Sequence, residues 1–151
     1  MSLNLALEAR NKAGDYYRQG FNCAESVLLT GRELLAPDWD LQIIKMATPL
    51  GGGIGRAGCV CGALNASIMV LGMLHGRTDC KTERREIGQH ARKIYELFVQ
   101  NFGSPCCSKL NFNEFDNEAH YRRCLKIVGG TAKILFEYLE SQNLLPGQSE
   151  D

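Results

Sequence analysis

The chain has 151 residues, enough to bury one substantial core without disulfide support, so a single domain is expected. Seventeen basic and seventeen acidic residues cancel and are dispersed, which removes the broad electrostatic footprint expected of a nucleic-acid or anionic-lipid binder. The most apolar stretch, Ala63 to Leu74, is too short to span a bilayer and is interrupted by Asn65, Ser67 and Gly72; the N-terminus has no secretion-signal pattern, so a cytoplasmic protein with neither a membrane nor a nucleic-acid partner is expected.

Leu3 to Arg18 sets Leu3, Leu5, Leu7, Ala13, Tyr16 and Tyr17 among charged residues as an amphipathic helix does, and Gly20 stops it. A second helix takes Asn22 as its N-cap, places Cys23 at its start and runs through "CAESVLLTGRELLA" to the turn "PDWD". "DLQIIKMATPL" reads as a short helix capped by Asp40 and ended before Pro49. Gly51, Gly52, Gly53, Gly55 and Gly58 then exclude helix, and the next one is expected to begin between Gly58 and Cys61 and to reach about Leu74. Gly58, Gly62 and Ala66 recur every four positions, leaving a face without bulk where another helix or a bound group can approach; the same face makes a homodimer a reasonable expectation.

From Lys81 to Asn101 a helix aligns Ile87, Ala91, Ile94, Leu97 and Phe98 along one side and closes on Gly103. The loop "SPCCSKLNFNEFDN" leads to a last helix from about Glu118 to Ser141, in which Gly129 and Gly130 predict a close contact or a kink. Strand signals are nearly absent. The expected fold class is all-α: a single-domain bundle of five to six helices over residues 1–144, with 145–151 as a flexible tail.

The chemistry-bearing residues are the seven cysteines, Cys23, Cys59, Cys61, Cys80, Cys106, Cys107 and Cys124. In a reducing compartment such an excess points to metal binding, redox chemistry or plain buried thiols rather than a disulfide framework. The glycine loop before a helix suits an anion, yet it lacks the Gly-Lys-Ser/Thr ending and the preceding strand of a nucleotide loop. The same helix-start field acts on sulfur: Cys61, in the first turn and with Arg56 nearby in sequence, is expected to have a lowered pKa, and Cys23 is placed similarly. Cys124 reads as a buried apolar residue, with His120 one turn earlier forming at most a weak metal pair. The adjacent Cys106 and Cys107 should diverge, one inward and one to solvent. No Cys-x-x-Cys pair, zinc-finger spacing, haem-attachment motif or hydrolase signature is present.

Taken together, "FNCAESVL", "GGGIGRAGCVCGALNA", "FGSPCCSKL" and "YRRCLKIV" resemble, in that order and over about Phe21 to Leu139, the redox-active family named for its C_GCAxxG_C_C cysteine pattern. The resemblance implies a small helical protein with four characteristic cysteines, which fall on Cys23, Cys61, Cys107 and Cys124. Cys107 matches better than Cys106 in its spacing from Phe102-Gly103 and to Leu110, and Cys59, Cys80 and Cys106 fall outside the pattern. Ala66 stands where the family has glycine, a departure that strains close packing without ruling it out. The chain is similar also to the non-haem portion of split-Soret cytochromes, which carry an iron–sulfur centre.

Three functions follow. In the first, the resemblance implies a redox site in which Cys61 exchanges a disulfide with Cys23, Cys107 or Cys124 and passes electrons to or from a partner protein; two of these residues should then lie within disulfide reach. In the second, the same four cysteines, Cys23, Cys61, Cys107 and Cys124, converge as thiolates on a centre, with the cofactor left open between an iron–sulfur cluster and another bound metal. The third is a helical interaction module with buried thiols.

Overall fold

The computed structural model describes residues 2–148, the side chains of residues 2–4 excepted; the last three positions of the expected tail lie outside the described residues. The described residues form α-helices α1 (Ser2–Gln19), α2 (Cys23–Leu35), α3 (Gly62–His75), α4 (Arg85–Phe102), α5 (Cys107–Leu110) and α6 (Glu118–Ser141), with two 3-10 turns between α2 and α3 and no strand. The fold is all-α. None of these helices is long and apolar enough to cross a membrane.

Helix boundaries follow local chemistry. Asn22 caps α2 in a full capping box: its side chain accepts from the Glu25 N–H at 2.8 Å, and Glu25 accepts from the Asn22 N–H at 2.9 Å. Asn117 starts α6 by accepting from the His120 N–H at 2.8 Å. Gly103 ends α4 at φ 96°, a left-handed stop that glycine adopts without Cβ strain. The segment expected as one short helix is instead the 3-10 turns Leu41–Met46 and Thr48–Leu50, the second containing Pro49 in its first turn, where a missing N–H costs nothing. Helix α3 begins at Gly62, with Gly58 left in the loop, and α4 begins at Arg85, four residues later than expected.

Four helices supply the large core side chains: Leu28 of α2, Leu64 and Leu71 of α3, Ile94 and Phe98 of α4, and Leu135, Phe136 and Leu139 of α6 are nearly inaccessible. Helix α1 lies along α6 and offers Ala6, Ala9 and Ala13 to the core. The Gly129-Gly130 pair is a close contact within a continuous helix: a Cβ on Gly129 would stand 3.1 Å from Arg10 Cγ, and one on Gly130 would stand 2.8 Å from Phe102 Cζ. Leu144 and Leu145 pack against this core, and the Leu144 carbonyl accepts from His75 Nε2 at 2.7 Å. The bundle leaves one end where α1 stops, α2 and α3 start and α6 passes.

Candidate functional site

At that end is a cavity of about 500 Å³ whose wall includes Cys23, Cys61, Cys107 and Cys124. Cys23 is the first residue of α2, Cys61 the N-cap of α3, Cys107 the first residue of α5, and Cys124 lies in the second turn of α6. Cys59 and Cys80 are exposed, Cys106 is half-buried opposite Val60, and none of these three lines the cavity.

The glycine loop is what brings three of the four sulfurs to one place. On its near side, Asn22 Nδ2 donates to the Thr48 carbonyl at 2.9 Å, tying the start of α2 to the turn that precedes the loop. On its far side the loop docks α5: the Cys107 N–H donates to the Cys59 carbonyl at 2.6 Å, and the Ser108 N–H donates to the Gly58 carbonyl at 3.0 Å. Gly53, buried at φ 71°, leaves no room for a side chain, since a Cβ there would stand 2.8 Å from Cys107 Cβ. Gly62 does the same for Cys23: its missing Cβ would lie 2.6 Å from Cys23 Sγ and 2.9 Å from the Leu50 carbonyl. The small-residue face read from the sequence therefore admits a sulfur as well as a helix. Ile54, a β-branched residue at φ 69°, marks the loop as strained.

The electrostatics correct the expectation of an activated thiolate at Cys61. Burial pushes its thiol up to about 12, a nearby Cys23 thiolate would push the same way, and the Leu64 and Ala63 N–H groups pull down without prevailing. The helix-start amides do reach the sulfur, as the helix-start field requires, but loss of water outweighs them. Cys23 is raised by burial too, against N–H groups of Gly52, Ala24, Ala63 and Gly62. Cys124 is pushed by burial to about 11, opposed by the Tyr17 hydroxyl and Asn111. Arg56 pairs with Asp116 at 2.6 Å; burial and then Cys23 raise Cys107, against the Asn111 amide and, least, the Arg56 charge. All four are held as neutral thiols at neutral pH.

All the cysteines are free thiols, and no two are within disulfide distance, so the reach expected between two of the four is absent among the described residues. The reason is mechanical: each sulfur is fixed by a different element around the void rather than across it. Nor do three or more His, Cys, Asp or Glu residues among the described ones form a group able to hold one metal ion. His120 lines the same cavity but is satisfied locally, its Nδ1 accepting from the Asp116 N–H at 3.0 Å and its ring standing edge-on to Phe115. Burial lowers its pKa, leaving it neutral.

Two residues that sequence reasoning passed over stand at the sulfurs. Tyr17, at the end of α1, reaches Cys124 and stacks on Tyr121 at 5.2 Å. Asn111, 1% exposed, directs its amide nitrogen toward Cys107 Sγ at 3.8 Å and Cys124 Sγ at 3.9 Å. The spacing of Asn111 one helical turn after Cys107 was a signal for the second; nothing in the sequence marked the first.

Residues 21–138 match the family described as "Putative redox-active protein (C_GCAxxG_C_C)". The chain is also similar to a protein of Archaeoglobus fulgidus described as uncharacterized, with 29% identity over 146 residues that cover 91% of this chain and 97% of that protein. No solved structure matches it.

Proposed function

The chain belongs to the redox-active C_GCAxxG_C_C family, and from that premise we propose that it exchanges electrons with a partner protein at the cavity lined by Cys23, Cys61, Cys107 and Cys124. One observation carries the reading: four cysteines from four separate helix segments border one cavity, while the other three stay outside it. Cys107 is the proposed entry point, because the Asn111 amide and the Arg56 charge both oppose the rise that burial imposes on its thiol. Its thiolate attacks a disulfide of the partner, forming a mixed disulfide and releasing one partner thiolate. Cys23, which lines the same cavity, gives its proton to the partner thiolate released first, then attacks Cys107 Sγ, forms an intramolecular disulfide and releases the second partner thiolate. Two thiols of this chain lose two protons and two electrons; the partner disulfide gains them. The closing step needs α5 to shift toward the start of α2.

Thiol counting and mass spectrometry after treatment with an oxidised dithiol test this. The expected result is loss of two thiols and two hydrogens, abolished in Cys23→Ser and Cys107→Ser and retained in Cys59→Ser, Cys80→Ser and Cys106→Ser. A Cys23→Ser chain should accumulate the mixed disulfide on Cys107. Full thiol content after oxidation would sink the exchange reading.

A second reading is favoured by the void between the sulfurs. Four cysteines at one cavity are the number that an iron–sulfur cluster takes, and because they do not converge on one point among the described residues, they would have to draw together around it. Cys23, Cys61, Cys107 and Cys124 would hold it, and it would supply one-electron transfer. Their burial would exclude water, and the N–H groups around Cys23 and Cys61 would meet the thiolate charge. Colourless protein without iron or sulfide after purification in the absence of oxygen would remove this reading.

A further inference from the structure

Asn111 is a fully buried polar side chain that closes α5, ties it to α6 and reaches two of the four sulfurs. It belongs to the short α5 end, yet it is held by α6: Arg123 Nε donates to Asn111 Oδ1 at 3.1 Å and Arg123 Nη2 donates to the Asn111 carbonyl at 3.2 Å. Arg123 is itself fixed, donating to the Glu114 carbonyl at 3.1 Å and lying 5.5 Å from the centre of the Phe112 ring. A guanidinium has only donors, so the amide oxygen must face Arg123 and the amide nitrogen must face the other way. That other way holds the Cys107 carbonyl at 3.1 Å and the two sulfurs, Cys107 Sγ at 3.8 Å and Cys124 Sγ at 3.9 Å. The orientation of the amide is thus dictated by a charge outside the cavity and delivered to sulfur inside it.

We infer that Asn111, oriented by Arg123, sets the reduction potential of the four-cysteine site by sharing between Cys107 Sγ and Cys124 Sγ the amide N–H that the Cys107 carbonyl does not take. The inference rests on the redox reading above. An N–H donor at sulfur stabilises the form with more negative charge or more hydrogen-bonding thiol character, which is the reduced form in either chemistry. A disulfide sulfur is the poorer acceptor and cannot return a proton to Asn111 Oδ1 as the Cys124 thiol does at 4.0 Å. Asn111 therefore favours reduction, and its loss favours oxidation. Arg123 acts through Asn111 and is a positioning residue.

The test measures the reduction potential of the full chain and of Asn111→Asp, Asn111→Ser and Arg123→Gln. A dithiol couple is read by alkylation of free thiols in glutathione buffers of graded ratio, and an optical couple by redox titration of the absorbance. Asn111→Asp keeps the shape but places an acceptor where the donors were. It should move the equilibrium toward the oxidised form most, Asn111→Ser by about fivefold, equal to about 20 mV for two electrons, and Arg123→Gln in the same direction by less. Thermal unfolding of each variant is recorded alongside, since a merely structural role would lower stability and leave the potential in place. Unchanged potentials in folded Asn111 variants overturn the inference alone. If neither Asn111 variant folds, an unchanged potential in Arg123→Gln overturns it. Absence of any reversible couple in the unaltered chain overturns it together with the redox reading.

Discussion

Gly62 shows how much of the site depends on one missing methyl group. A Cβ at this position meets Cys23 Sγ at 2.6 Å and the Leu50 carbonyl at 2.9 Å, and the second neighbour is backbone that cannot turn aside. Gly62→Ala is therefore expected to destabilise the fold by about 1–3 kcal/mol through overpacking and to displace Cys23. Denaturant unfolding measures the first effect and the rate of Cys23 alkylation the second. The neighbouring Cys61 illustrates competition between two rules that both apply: helix-start amides lower a thiol pKa, burial raises it, and at a position only 6% exposed burial wins. Exposure was the unknown quantity, because the sequence places Cys61 at a helix start but does not state what packs over it.

At the scale of the element, α2 is the helix whose start matters most for the cavity. Asn22 completes the capping box, binds the turn before the glycine loop and precedes Cys23 directly. Asn22→Ala should cost about 1 kcal/mol, seen as a lower denaturant midpoint, and should speed alkylation of Cys23 as the first turn frays. An unchanged alkylation rate would mean that α3, not the cap, holds this sulfur. The glycine loop is an element in its own right: its carbonyls accept from α5 and its small residues admit Cys107. Its strain at Ile54 and its lack of regular structure are consistent with a segment whose shape is imposed by what it connects.

Across the whole molecule, four neutral buried thiols make stability depend on pH in the alkaline range. Unfolded thiols lose their protons near the ordinary 9.0, whereas Cys124 keeps its proton to about 11 and Cys61 to about 12. Between those limits the unfolded chain binds fewer protons, so unfolding becomes easier as pH rises; below about pH 9 the contribution is fully present. Tyr16, raised to about 12 by burial and its Glu33 partner, adds in the same direction. Urea unfolding of the reduced, metal-free chain from about pH 8 to about pH 11 should show a falling midpoint. The decline should be smaller in Cys61→Ala compared at each pH with its own value at neutral pH; a midpoint independent of pH would contradict burial of these thiols.

The sequence alone determined the helical class, the cap at Asn22 and the stop at Gly103, and the segment Glu118–Ser141, because periodicity and capping act within a few residues of one another. It also singled out Cys23, Cys61, Cys107 and Cys124 by their resemblance to a family pattern. Only the tertiary structure decided that these four share a cavity, that Arg56 pairs with Asp116, and that Asn111 and Tyr17 reach the sulfurs. Those facts depend on segments far apart in the chain being packed together and on the water that packing removes. Periodicity carries neither quantity.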